Sequence, residues 1–143
     1  MGKIPERPEM IFPQLTADYR DVFGDESVAL ILYGSGADQH YIPGKSDLNF
    51  LVVLTERGME DLEKVMAVTA RWRKSRVATP LFMTKDYIEA ALDAYPIEFL
   101  DMKINHAVVY GEDVLTALEI RPEYLRLQVE RELRGKLLLL RQR

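Results

Sequence analysis

Short, densely apolar runs alternate along this chain with polar stretches rich in glycine and proline, and that rhythm sets the expected elements. Val28 to Tyr33 is an apolar run stopped by Gly34, which predicts a buried strand. Gly34 to Ser46 holds Gly34, Gly36, Pro43 and Gly44 and reads as loop. Leu48 to Thr55 predicts a second strand; after Asn49 it is apolar on both faces, the mark of a central strand covered on each side. In the helix expected from Glu60 to Arg73, Met59, Leu62, Val65, Met66 and Trp72 fall near one face as a core stripe. Arg76 to Met83 predicts a third strand, with Pro80 favouring an edge or a bulge. Thr84 can cap a helix from Lys85 to Ala94, and Tyr95-Pro96 breaks it. A short helix over Ile97 to Lys103 and a fourth strand over Ala107 to Tyr110 follow.

The two ends differ in kind. Met1 to Gln14 is expected to be extended, because Pro5, Pro8 and Pro13 disfavour helix around them. Leu15 to Phe23 then predicts a short helix, with Thr16 as its N-cap and Gly24 as its stop. Pro122 suits the first turn of a final helix. Leu125, Val129, Leu133 and Leu137 recur along it every four residues, and Leu138 to Leu140 extend the apolar surface round the helix. A helix apolar all round needs cover, here from a second copy, a protein partner or a further helical domain. The expected organisation is an extended segment 1–14, an α/β (α+β) domain 15–121 with a small mixed sheet and flanking helices, and a long C-terminal helix 122–143.

Composition narrows the classes. With 143 residues, 48% apolar and 29% charged, the chain suits one soluble domain with a real core. A net charge of −4 argues against non-specific nucleic-acid binding, which needs a basic surface. The lack of cysteine excludes disulfides, thiolate metal sites and thiol nucleophiles. No run resembles a signal peptide or a membrane span, so a cytoplasmic location without membrane contact is expected.

The candidate chemistry lies between Leu32 and Leu54. Gly34-Ser35-Gly36 follows a strand, and small residues let backbone N–H groups approach an anion closely. Asp47 and Asn49 open the next strand and, two apart, project to the same side. Lys45 stands beside them as a possible phosphate partner. The same residues also suit a plain strand-end turn, two turn caps and a solvated lysine. His40 fits a solvated loop and His106 a hydrogen bond at the core's edge; two distant histidines without an acid cluster do not make a zinc site. The basic run Arg71 to Arg76 fits a solvated helix C-terminus.

Taken together, Gly34-Ser35, Asp47 twelve residues beyond Ser35, and Asp-x-Asn opening an apolar strand resemble the signature of the DNA-polymerase-beta-like nucleotidyltransferase superfamily. The nearer likeness is to its minimal, single-domain bacterial members, over Asp18 to Leu118. The resemblance implies that Gly34, Ser35 and Gly36, helped by Lys45, hold the triphosphate of ATP or another nucleotide. It implies that paired acids bind two magnesium ions, which makes Asp47 the metal ligand and Asn49 a vestigial catalytic position. A third acid, on a later strand, completes such a site.

Two departures change the expectation. Asn49 carries no charge, and Arg76 to Met83 holds no acid; Asp86 falls at the next helix start, where it complements the helix dipole. Removing one preorganised electrostatic group costs on the order of 100- to 1,000-fold in rate, and here two charges are gone. The expected protein is therefore a catalytically degenerate copy serving as a regulatory, nucleotide-binding or protein-interaction module, with Mg2+ entering only alongside a nucleotide. Two alternatives are an active enzyme moving a nucleoside monophosphate from ATP to a protein or small-molecule hydroxyl, and the nucleotidyltransferase-like partner of a two-component toxin–antitoxin pair.

Overall fold

Four strands form one mixed sheet in a computed structural model that describes residues 3–141, with side chains through Leu139. Strands β1 (Ser27–Tyr33) and β2 (Asn49–Leu54) pair antiparallel at its centre. Strand β4 (His106–Gly111) adds antiparallel to β1, and β3 (Leu81–Met83) adds parallel to β2, giving the order β3-β2-β1-β4. Side chains alternate across a strand, so each central strand feeds two cores. On one face Leu30, Leu32, Phe50, Val52 and Leu54 meet Leu15, Tyr19 and Phe23 of α1 (Phe12–Phe23) and Val68 and Trp72 of α2 (Met66–Arg73). On the other, Ala29, Ile31, Leu51 and Val53 meet Ile88 of α3 (Lys85–Ala91), Phe99 and Met102 of α4 (Pro96–Ile104), and Leu115. The doubly apolar β2 is thus an inner strand covered on both sides, as its sequence predicts.

A buried carboxylate ties the first layer together. Asp18 of α1 accepts the indole N–H of Trp72 at 2.9 Å and the Gln14 amide at 2.8 Å. That satisfies a polar pair that would otherwise be costly to bury.

Several local expectations are corrected. The segment 1–14 is not extended throughout: Pro8–Ile11 forms a 3-10 turn and α1 begins at Phe12. Pro13 sits in the first helical turn, where the N–H it lacks would have had no helical partner. The helix expected from Glu60 is wound as 3-10 over Gly58–Val65 before α2 begins. Three residues per turn bring Met59, Leu62 and Val65 onto one side, against the core. Met66 falls off that line and is exposed, so it is not part of the stripe.

The third strand is shorter than expected, with only an isolated bridge, Leu48 to Val77, ahead of Leu81–Met83. Pro80 lies between, where the missing N–H interrupts the ladder, and β3 is an edge strand, as that proline suggests. Thr84 caps α3 by accepting the Tyr87 N–H at 3.0 Å.

The last helix, α5 (Pro122–Arg141), docks on α4 through buried Gln128. The Gln128 carbonyl accepts the Ile97 N–H at 2.8 Å, and its amide donates to both Glu98 oxygens at 2.8 and 2.9 Å. Leu125 is half-buried, while Val129, Leu133, Leu137, Leu138 and Leu139 are exposed. The Leu140 side chain lies outside the described residues. Among the described residues, no helix is long and apolar enough to cross a membrane.

Candidate functional site

The Gly-Ser turn closes β1 as a short 3-10 segment, Gly34–Ala37. Gly34 has φ +81°, a backbone that side-chain-bearing residues rarely adopt. Its N–H donates to the Asn105 carbonyl at 3.1 Å, so that amide is already committed within the fold. Ser35 is exposed at the turn. Gly36 is small for a packing reason: a Cβ there would approach Leu48 Cδ2 to 2.8 Å.

The register sets Asn49 across from Tyr33, the residue before the turn. The Asn49 amide lies 3.7 Å from where a Gly34 Cβ would stand. Asn49 therefore abuts the turn, as the spacing of the motif suggests. Lys45 is exposed on the loop, and its carbonyl accepts Arg76 Nη2 at 3.1 Å.

Asp47 is held differently. The Leu48 N–H donates to the Arg76 carbonyl at 2.9 Å, and the Ala78 N–H to the Leu48 carbonyl at 3.0 Å. This bridge draws residues 47 and 76 together at the sheet's edge, and Arg76 Nη2 lies 3.1 Å from Asp47 Oδ1. Arg76 has φ +60°, a left-handed backbone that disfavours residues other than Gly, Asn and Asp. Both charges are partly exposed, 37% for Arg76 and 56% for Asp47, so water screens the pair. Asp47 lines a shallow depression with Arg73, Arg76 and Thr79. Arg73 Nη2 donates to Thr79 Oγ1 at 2.8 Å. The basic run thus does more than end a helix in solvent: its last arginine pairs with the motif's carboxylate. Nothing local in the sequence signals this, because the contact depends on strand register.

Gly34 and Ser35 instead border a larger cavity, about 620 Å³, on the α3–α4 face. Leu81, Met83, Phe99 and Met102 line it with Tyr33, Tyr87 and Tyr95, and Asp38, Glu98 and Asp101 supply its charge. Burial pushes the Tyr33 hydroxyl above its ordinary range. At Asp38 burial works upward, but hydrogen bonds from the His40 N–H and ring outweigh it and hold the carboxyl low. Neither Asp47, Asn49 nor Lys45 lines this cavity.

These residues do not fit a pair of magnesium ions. Asp47 already has a cationic partner, Asn49 is neutral, and no acid occurs from Arg76 to Met83. Among the described residues, no three histidines or carboxylates group closely enough to hold a metal ion.

No family model matches the sequence. Over 119 residues, 82% of the chain, it is 25% identical to the CCA-adding enzyme of Pyrobaculum islandicum. The chain has the nucleotidyltransferase fold. The match takes in 27% of that enzyme, so this nucleotidyltransferase-fold chain spans about a quarter of its curated relative's length. Two solved structures overlay on it with low scores. One is a mutant of the toxin–antitoxin MntA-HpeT, with TM-score 0.47 and 15% identity, covering 90% of this chain and 98% of that one. The other is a toxin–antitoxin with AMP-PNP, with TM-score 0.46 and 14% identity, covering 92% and 98%.

Proposed function

We propose that this chain keeps the nucleotidyltransferase fold without two-metal transfer and works by binding, as a regulatory protein-interaction module. The observation that carries the reading is the Asp47–Arg76 ion pair beside neutral Asn49. A site that must gather negative charge around divalent cations instead holds one carboxylate and its own guanidinium. Nucleotide capture is a weaker role than protein binding on two grounds. The Gly34 amide is spent on Asn105, and the charged side chains lining the cavity beside Ser35 are all acids. The test is incubation with labelled ATP, Mg2+ and a panel of protein and small-molecule acceptors. No transfer is expected; transfer abolished by Asp47→Ala would sink the reading.

The binding surface on this reading is α5, and its pattern is self-complementary. An antiparallel pair centred on Leu133 would set Val129 against Leu137. It would also set Glu130 opposite Lys136, and Glu132 opposite Arg134. Apolar and charged positions match at once, which favours a second copy of this chain as the partner. Light scattering should give a dimer that Leu133→Glu dissociates, whereas a wild-type monomer at high concentration would refute the assignment. The exposed α5 stripe also suits the helical partner of a two-component pair, including a toxin–antitoxin module. Co-expression with the product of the adjoining gene separates the two, since a stable 1:1 complex in place of the dimer supports the pair.

A further inference from the structure

We infer that the cavity between the Gly34–Ser35 turn and α4 is a binding site for a small organic cation, an amine or guanidine carried on an aromatic or apolar body. Its volume, about 620 Å³, is that of an ordinary small-ligand site. Its walls divide by chemistry. Leu81, Met83, Phe99 and Met102 offer an apolar surface, and Glu98, Asp101 and Asp38, the last with its Oδ1 already bonded to His40, offer carboxylates. No lysine, arginine or histidine lines it.

An anion entering there meets only like charge, whereas a cation meets charge-assisted acceptors. The lysines on the bordering helices are turned to other work: Lys85 pairs with Glu112 at 2.8 Å and Lys103 donates to the Leu118 carbonyl at 2.6 Å. The carboxylates are also not gathered as a metal centre would require. Not gathered at one point, they suit a ligand with its positive charge on an extended frame.

Two further features point the same way. Tyr87 and Tyr95 line the cavity while about half exposed, and aromatic faces attract cations. Glu98 is fixed in place by two hydrogen bonds from Gln128, itself buried. The same glutamine that docks α5 therefore positions one carboxylate of the cavity. The inference rests on the proposed function in one respect: no metal–triphosphate occupies the turn.

The test is calorimetric titration of the full chain with tyramine and with spermidine, using p-cresol as the neutral counterpart of tyramine and Mg–ATP as a separate arm. At least one amine should saturate, more weakly in high salt, with p-cresol at least about 10-fold weaker. Asp101→Asn, an exposed change, and Glu98→Gln should each weaken amine binding about 10-fold, with circular dichroism unchanged as the control for folding. Equal affinity for p-cresol and tyramine, no saturation by either amine at millimolar concentration, or displacement of the amine by Mg–ATP would each overturn the assignment. Adenylyl transfer to an acceptor would instead overturn the proposed function, so failure of one idea is distinguishable from failure of the other.

Discussion

Replacing Arg76 should awaken a weak affinity for divalent cations. Asparagine is the substitution of choice, because it tolerates the left-handed backbone at φ +60° and removes the charge. A divalent ion seated on Asp47 would stand about 5 Å from the guanidinium and feel about 1.7 kcal/mol of repulsion even at the dielectric of water. Arg76→Asn should therefore tighten binding of Mn2+ about 10-fold, since 1.4 kcal/mol is a factor of 10. Adding a carboxylate two residues along through Asn49→Asp should tighten Mn2+ further, because it adds a second negative charge to the same strand end. The stability cost of losing the Asp47–Arg76 pair stays within about 1 kcal/mol, because both side chains are partly exposed and water screens them. The assay is Mn2+ titration followed by electron paramagnetic resonance at low ionic strength, with Asp47→Ala as the control that abolishes any gain. Tight Mn2+ binding by the wild-type chain, unaltered by Arg76→Asn, would show that the arginine does not neutralise the site.

Three further predictions concern the scaffold. Asp18→Ala leaves the Trp72 indole N–H buried without its acceptor and should cost about 1–3 kcal/mol in urea denaturation. Gly111→Ala should cost more than about 2 kcal/mol, because a Cβ there would lie 2.1 Å from the Val28 carbonyl oxygen and φ is +82°; an unshifted midpoint would contradict the strand contact. Burial works upward on the Asp113 carboxyl, but hydrogen bonds from Thr116, His106 and Leu115 dominate and hold it far below its ordinary 3.8. Its stabilisation is thus present above pH 3.8 and fades as pH falls below that value. Asp113→Asn should lower stability by about 1 kcal/mol at neutral pH, discounted for its partial exposure, with the gap to wild type closing in acid.

What could be read in advance was what depends on neighbours in sequence. The apolar runs of β1 and β2, the Thr84 cap, the stop at Gly34 and the start at Pro122 each follow from a few adjacent residues. The turn and the strand that Asn49 opens were expected from the motif, and Asn49 pairs across from Tyr33 beside that turn. The Asp47–Arg76 pair was not expected. It requires the Leu48–Val77 bridge, which joins segments separated by a whole helical layer. The cavity was invisible for the same reason: its carboxylates come from the loop after the turn and from α4, and no spacing links Asp38 to Asp101. The shift to 3-10 winding at Gly58–Val65 was hidden because Met59, Leu62 and Val65 satisfy a three-residue repeat as well as a helical stripe.

On the proposed reading, the fold stands independently of its motif chemistry for a physical reason. Stability resides in the two cores on either side of β1 and β2, and the motif side chains contribute almost nothing to either. Two carboxylates placed side by side at residues 47 and 49 would repel each other unless metal ions stood between them. With an amide at residue 49 and a guanidinium 3.1 Å from Asp47, that repulsion is absent and no ion is needed to hold the sheet's edge together. On the proposed reading, an arrangement without transfer chemistry can keep both cores intact while relieving charge repulsion at the motif. Acidic charge also lies elsewhere, at Asp38, Glu98 and Asp101 in the cavity beside Ser35.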